Sequence, residues 1–172
     1  MTAQVTFRQA DSRDLDLLVG LFDKVAHWLV RKGVDQWRPG ARDSGHFRRR
    51  IAEGEVWIAY HEGLAVGAYE LWWEDEHAWG PQPPVAGYVH RLMADRETAP
   101  AGTGRALLAH AEGRVAALGR SVVRLDSMTS NPRLRTYYEA AGYRVVGEEP
   151  DKLAADGTRY SVTLWERALT RP

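Results

Sequence analysis

Apolar positions along the chain switch between a period of two and a period near 3.6, and each switch marks a new element. Residues 5–9 alternate apolar and polar and predict a short strand. Asp11-Ser12 then supplies helix-start chemistry, and Leu15, Leu18, Phe22, Val25 and Leu29 recur at helical spacing until Gly33, a natural terminator. The run 37–42 reads as a loop from its Pro and Gly, with Asp43 or Ser44 capping a second helix through Ala52 that Gly54 ends. Residues 56–61 and 65–73 form two β-rich runs joined at Glu62-Gly63, the signature of a hairpin. The stretch 74–84 is polar, aromatic and Pro-rich and predicts an irregular loop before a strand at 85–93. Leu107, Leu108, Ala111, Val115 and Leu118 share a helical face that opens after Gly102-Thr103-Gly104 and closes at Gly119, and a strand at 122–126 follows. Asn131-Pro132 opens another helix, whose Leu134, Tyr137, Tyr138 and Ala141 trace one face before Gly142. Strands at 143–147 and 160–165 complete the chain, with Asp156-Gly157 as a turn signal between them.

Strand, two helices, three strands, helix, strand, helix and two strands combine hairpins with strand–helix–strand crossovers. That order predicts an α+β fold with a mixed sheet covered by helices, rather than a barrel or a bundle. At 172 residues the chain fits one domain, 1–172, and shows no internal repeat. Lys and Arg number 23 against 23 for Asp and Glu, so no long-range field favours nucleic acid or an anionic membrane, and neither partner is expected. The absence of Cys excludes disulfides and a thiolate nucleophile. Six His show no ligand-spaced pair on one helix face, so no metal is expected. With no signal segment at the start and no long apolar run, a cytoplasmic location is expected.

Ala99-Pro100-Ala101-Gly102-Thr103-Gly104 sets a Gly-rich turn between a strand and a long helix. Such a turn aims backbone N–H groups at an anion, favoured there by the helix dipole, and a phosphate fits. Two glycines also fit a plain tight turn, so the surrounding residues carry the distinction. Tyr88-Val89-His90-Arg91-Leu92-Met93-Ala94-Asp95, then Gly102-Thr103-Gly104-Arg105-Ala106-Leu107-Leu108, resembles the coenzyme A motif of the GNAT N-acyltransferase superfamily. Asn131 to Tyr143 resembles that family's second signature, an Asn-led helix with a Tyr shortly before a Gly-aromatic pair.

The resemblance implies a GNAT-like fold, with about six or seven strands in a mixed, mostly antiparallel central sheet and about four helices on both faces. It implies acetyl-CoA as co-substrate and a primary amine of a small molecule or peptide as acceptor, attacked directly in a ternary complex. Leu92, Met93 and Ala94 align with a bulged strand whose amides hold the thioester and the pantetheine arm. Ala101, Gly102, Thr103, Gly104 and Arg105 align with the pyrophosphate loop, and Asn131 with a coenzyme contact. Where the family usually has Arg or Gln, three residues before the first glycine, this chain has Ala99 followed by Pro100, which has no N–H. Arg105 or Arg96 is expected to compensate. Relatives in the family often dimerise, so a homodimer is among the expected assemblies.

An alkylammonium must lose a proton before it attacks a thioester, and His90 is the candidate base, on the strand face of Tyr88 and Leu92. A core-edge histidine with satisfied hydrogen bonds is the plainer alternative. Tyr138 aligns with the family's general acid for the departing thiolate, and core packing is its alternative. Carboxylates and indoles in 70–79 attract an ammonium group, which makes Trp72 and Glu74 candidate acceptor contacts. Tyr88 and Trp37 join them; Trp37, like Trp28, fits either a pocket wall or the core. A non-catalytic acyl-CoA binding or sensing module is the rival that Ala99-Pro100 raises. The runs Arg48-Arg49-Arg50 and Arg133, Arg135 raise a toxin-like enzyme acetylating aminoacyl-tRNA.

Overall fold

The computed structural model describes residues 4–153 and 157–170. Asp156, half of the predicted turn signal, lies outside the described residues. The chain falls into two compact units: the described residues of 1–72 with 91–110, and those of 73–90 with 111–172. Strand β4 and helix α4 each contribute to both.

In the first unit, β1 (Thr6–Gln9) leads into a single 3-10 turn closed by a capping box. Asp11 accepts from the Arg13 N–H, and Asp14 accepts from the Asp11 N–H, both at 2.9 Å. Helix α1 (Leu15–Arg31) buries Leu18, Leu21, Phe22, Val25, Ala26 and Leu29, a stripe slightly wider than the predicted one. Helix α2 (Ser44–Glu53) starts where the Asp43 carboxylate accepts from the His46 N–H at 2.9 Å. β2 (Glu55–His61) and β3 (Leu64–Trp72) pair antiparallel. Glu62 and Gly63 between them both have positive φ, 51° and 79°, as a two-residue hairpin turn of the primed type requires. Leu18, Phe22, Phe47, Val56, Ile58, Ala68 and Met93 form the core of this unit. Truncating one of its large members to Ala costs about 2–5 kcal/mol.

The remaining elements are α3 (Glu76–Trp79), β4 (Ala86–Ala94), α4 (Thr103–Ala117), β5 (Val122–Met128), α5 (Pro132–Ala140), β6 (Arg144–Leu153) and β7 (Arg159–Ala168). β4 runs parallel to β5, and β7 pairs antiparallel with both β5 and β6. The seven strands follow the order β1-β2-β3-β4-β5-β7-β6 in one mixed sheet. The expected α+β class and strand number are thus present.

Three details differ from the sequence reading. The predicted loop 74–84 contains α3, a single turn nucleated by Asp75, whose carboxylate accepts from the Ala78 N–H at 3.4 Å. Its four residues are too few to show a helical period. β6 runs on to Leu153, well past the predicted Gly147, because it is an edge strand exposed on most of its length. Glu148, Glu149 and Pro150 there hide the alternation that burial writes into inner strands. β5 and β7 likewise extend to Met128 and Ala168. Among the described residues, no helix is long and apolar enough to cross a membrane.

Candidate active site

In the first unit, the candidate coenzyme residues lie in the second half of β4 and at the start of α4. Arg91 has φ 46°, a left-handed conformation inside a strand. A non-glycine residue loses about 1–2 kcal/mol there, so the strand is bulged rather than regular. The alternation that would put His90 and Leu92 on one face is therefore interrupted between them. Beyond the bulge the strand is fixed in place: the Asp95 N–H donates to Val66 O at 2.8 Å. A Cβ on Gly67 would sit 2.7 Å from Met93 O. Only glycine permits so close an approach, and Met93 is fully buried beside it.

Asp95 organises the loop that follows. Its buried carboxylate accepts from Lys24 Nζ at 2.7 Å, Thr98 Oγ1 at 2.8 Å and the Glu97 N–H at 3.0 Å. Burial alone would raise this carboxyl, but Lys24 and the two other donors together hold it below its ordinary value. Gly102 then turns the chain with φ 86°, and the Ala106 N–H makes the first helical bond, to Gly102 O at 3.0 Å. Thr103 caps inward, its N–H and Oγ1 both donating to Pro100 O, at 3.2 and 2.6 Å. The amides of Gly104 and Arg105 are left at the helix start without an intrahelical acceptor, the arrangement that binds an anion. Arg105 is exposed on this first turn, and Arg96 rests its guanidinium 5.0 Å from the centre of the Trp28 ring.

In the second unit, the β4–β5 ladder pairs Ala86 with Val122, Gly87 with Val123 and Tyr88 with Arg124, and ends there. Two residues further in the same register, His90 faces Asp126, with Nδ1 3.9 Å from Asp126 Oδ1. The other ring nitrogen, Nε2, lies 2.9 Å from Oδ2 of Asp75, so the capped turn of α3 orients the imidazole. Burial works against the Asp75 carboxylate, yet His90 and then Lys152 hold it below its ordinary value. Lys152 Nζ reaches Asp126 Oδ2 at 2.6 Å. Burial would lower this ammonium, and the Asp126 and Tyr160 charges raise it instead. Asp75, His90 and Asp126 bring ligand atoms within 4.8 Å of one another, and Lys152 supplies a cation to that cluster.

Tyr138 is buried among the rings of Tyr137, Tyr143 and Trp165, at centroid distances of 5.3, 6.1 and 5.8 Å. Burial raises its hydroxyl far above the usual range, and the Tyr137 and Asp126 charges push the same way. Asp126 therefore acts on both candidate proton-transfer groups. Tyr88 is tied down, its hydroxyl accepting from Arg124 at 3.0 Å. It lines, with Trp73, Glu74, Asp75 and Gln82, a small cavity of about 40 Å³. Asn131 caps α5 by accepting from the Arg133 N–H at 3.2 Å. In the first unit Trp37 stacks on Phe22 at 5.4 Å and, like Trp28, packs against the core. Trp72 lies under the Arg50 guanidinium at 4.3 Å, and its Nε1 donates to Glu70 at 3.0 Å.

Residues 52–145, more than half of the chain, match the acetyltransferase (GNAT) domain family. The protein is a GNAT acetyltransferase. An uncharacterized N-acetyltransferase, YesJ of Bacillus subtilis (strain 168), is 28% identical over 166 residues, covering 91% of this chain and 86% of YesJ. A GNAT-family acetyltransferase from Listeria monocytogenes 4b F2365 shares the fold with a TM-score of 0.79 at 24% identity, over 98% of this chain and 99% of its own. The acetyltransferase yncA of Salmonella typhimurium, whose structure contains its cofactor acetyl-CoA, shares it with a TM-score of 0.69 at 15% identity, over 99% and 96% of the two chains.

Asp126 and Lys152 were not singled out from the sequence, and Glu70 and Asp75 only among the carboxylates of 70–79, without the partners the structure gives them. Asp75 caps α3, a residue type suited to that place in a stretch read from sequence as irregular. Asp126 follows from β4–β5 register alone, which no single sequence displays. Lys152 sits on the edge strand whose length was underestimated.

Proposed function

We propose that the protein transfers the acetyl group of acetyl-CoA to a primary amine of a small molecule or peptide, by direct attack in a ternary complex. One observation carries this reading: a left-handed Arg91 ahead of the amides of Leu92, Met93 and Ala94, and a left-handed Gly102 ahead of those of Gly104 and Arg105. These are the two backbone features that a thioester and a diphosphate require, in the segments that match the family signature. The acetyl-CoA in the structural neighbour yncA supports the identity of the donor.

In this proposal His90 accepts the proton that the amine loses, oriented by Asp75 at Nε2. The deprotonated amine nitrogen bonds to the acetyl carbon and releases its second proton to solvent as the amide forms. The Leu92 amide donates to the carbonyl oxygen as it becomes an oxyanion, a contribution needing no reorganisation. Collapse breaks the carbon–sulfur bond, and Tyr138, whose buried hydroxyl is kept protonated, gives its proton to the departing sulfur. Exchange with solvent returns the proton from His90 and restores that of Tyr138. Glu74 and Glu76, exposed beside the cavity, favour a cationic acceptor.

Release of coenzyme A thiol, measured with acetyl-CoA against peptides, polyamines, amino acids and aminoglycosides, tests the proposal. Turnover with at least one amine class is expected. Tight acetyl-CoA binding with no turnover across the panel contradicts it and favours a binding or sensing module.

A further inference from the structure

Glu70, in the middle of β3, is a fully buried carboxylate. It accepts from His46 Nε2 at 2.7 Å, Arg91 NH1 at 2.9 Å and Trp72 Nε1 at 3.0 Å. Arg91 is the residue whose backbone takes the left-handed conformation, and its side chain is only 14% exposed. Few strands put an arginine at such a position, where glycine is the unstrained choice. A buried charge pair has the opposite property: separating its members leaves an uncompensated charge, which is strongly unfavourable. The pair here therefore supplies what the backbone at Arg91 lacks. Trp72 closes the arrangement, with Arg50 4.3 Å and Arg91 6.0 Å from its ring centre.

We propose that the Glu70–Arg91 ion pair is a clamp that holds the β4 bulge open, which makes Glu70 a positioning residue for acyl transfer. The clamp fixes φ at Arg91 and so aims the amides of Leu92, Met93 and Ala94. This assignment rests on the reading of those amides as the thioester contact. Glu70 does not touch the reactants; it acts through the backbone of its partner.

Two double variants separate conformation from charge: Glu70→Gln with Arg91→Gly, and Glu70→Gln with Arg91→Ala. Both lack the ion pair and keep a neutral acceptor for His46 and Trp72; they differ in whether residue 91 adopts positive φ unaided. The glycine variant is expected to keep the bulge and most of the wild-type kcat and acetyl-CoA affinity. The alanine variant is expected to relax φ at residue 91 in its crystal structure. Its kcat/KM for acetyl-CoA should be about five- to thirtyfold below that of the glycine variant, the shift that the left-handed penalty of a Cβ produces. A clamp with a merely structural role would instead lower the melting temperature of the alanine variant while φ and kinetics stayed the same. Equal kinetics in the two doubles, or an unrelaxed φ at alanine, overturns the proposal. Acetyl-CoA binding to the wild type is titrated alongside. Its absence removes the donor reading, and φ at residue 91 still decides whether the ion pair sets the bulge.

Discussion

Each unit of the protein sets a histidine against a buried carboxylate, and the two clusters differ in how many carboxylates surround it. Around Glu70, one anion meets His46, Arg91 and the Trp72 N–H. Around His90, two anions, Asp75 and Asp126, meet one imidazole and Lys152. A buried carboxylate held by an arginine, a histidine and an indole N–H is fixed in place and serves as an anchor. In the roles proposed above, the first cluster is a fixed clamp and the second a proton acceptor.

The largest test of that contrast lies on the proton-transfer side. Tyr138→Phe is expected to lower kcat by about a hundredfold with the acetyl-CoA KM nearly unchanged, as for loss of a general acid; a drop under about threefold removes Tyr138 from that role. Asp75→Asn should cost about tenfold in kcat, because the imidazole loses the partner that orients it. Steady-state kinetics over both substrates separates this from a binding defect. On the anchor side, Gly67→Ala forces a Cβ against Met93 O and is expected to destabilise the fold by about 1–3 kcal/mol in urea unfolding.

Smaller effects distinguish the clusters by pH. Burial first, and then the Arg91 and Arg42 charges, hold His46 below its ordinary 6.5 despite Glu70. Below that value the unfolded chain binds the proton more readily than the folded one. Stability is therefore full above about pH 6.5 and declines as pH falls toward the lowered folded value. Asp75, held below its ordinary 3.8, contributes stability present above that pH and lost as pH falls further. Urea melts across pH should show the upper window vanish in His46→Gln and the lower one in Asp75→Asn. Exchange of the two windows would break the contrast.

How far the sequence alone reached follows from where each signal is stored. The hairpin at Glu62-Gly63, the caps at Asp43 and Asn131 and the terminators at Gly33, Gly119 and Gly142 are local, and each appears where its chemistry demands. The turn at Gly102 was legible for the same reason. The polar clusters were not, because Glu70–Arg91 and His90–Asp126 join residues 21 and 36 positions apart, and only strand register brings them together. The bulge at Arg91 came from the family resemblance rather than from periodicity, since one left-handed residue leaves no mark in an apolar pattern. Trp37 shows the converse limit: a large aromatic after a helix reads equally as pocket or core, and its stacking on Phe22 is a packing fact.

A crystal structure of the protein soaked in acetyl-CoA is the most direct measurement. The diphosphate is expected against the amides of Gly104 and Arg105, with the thioester carbonyl accepting from an amide of residues 92–94. Density for the bound coenzyme elsewhere on the chain, with those amides satisfied by the protein itself, would contradict the account.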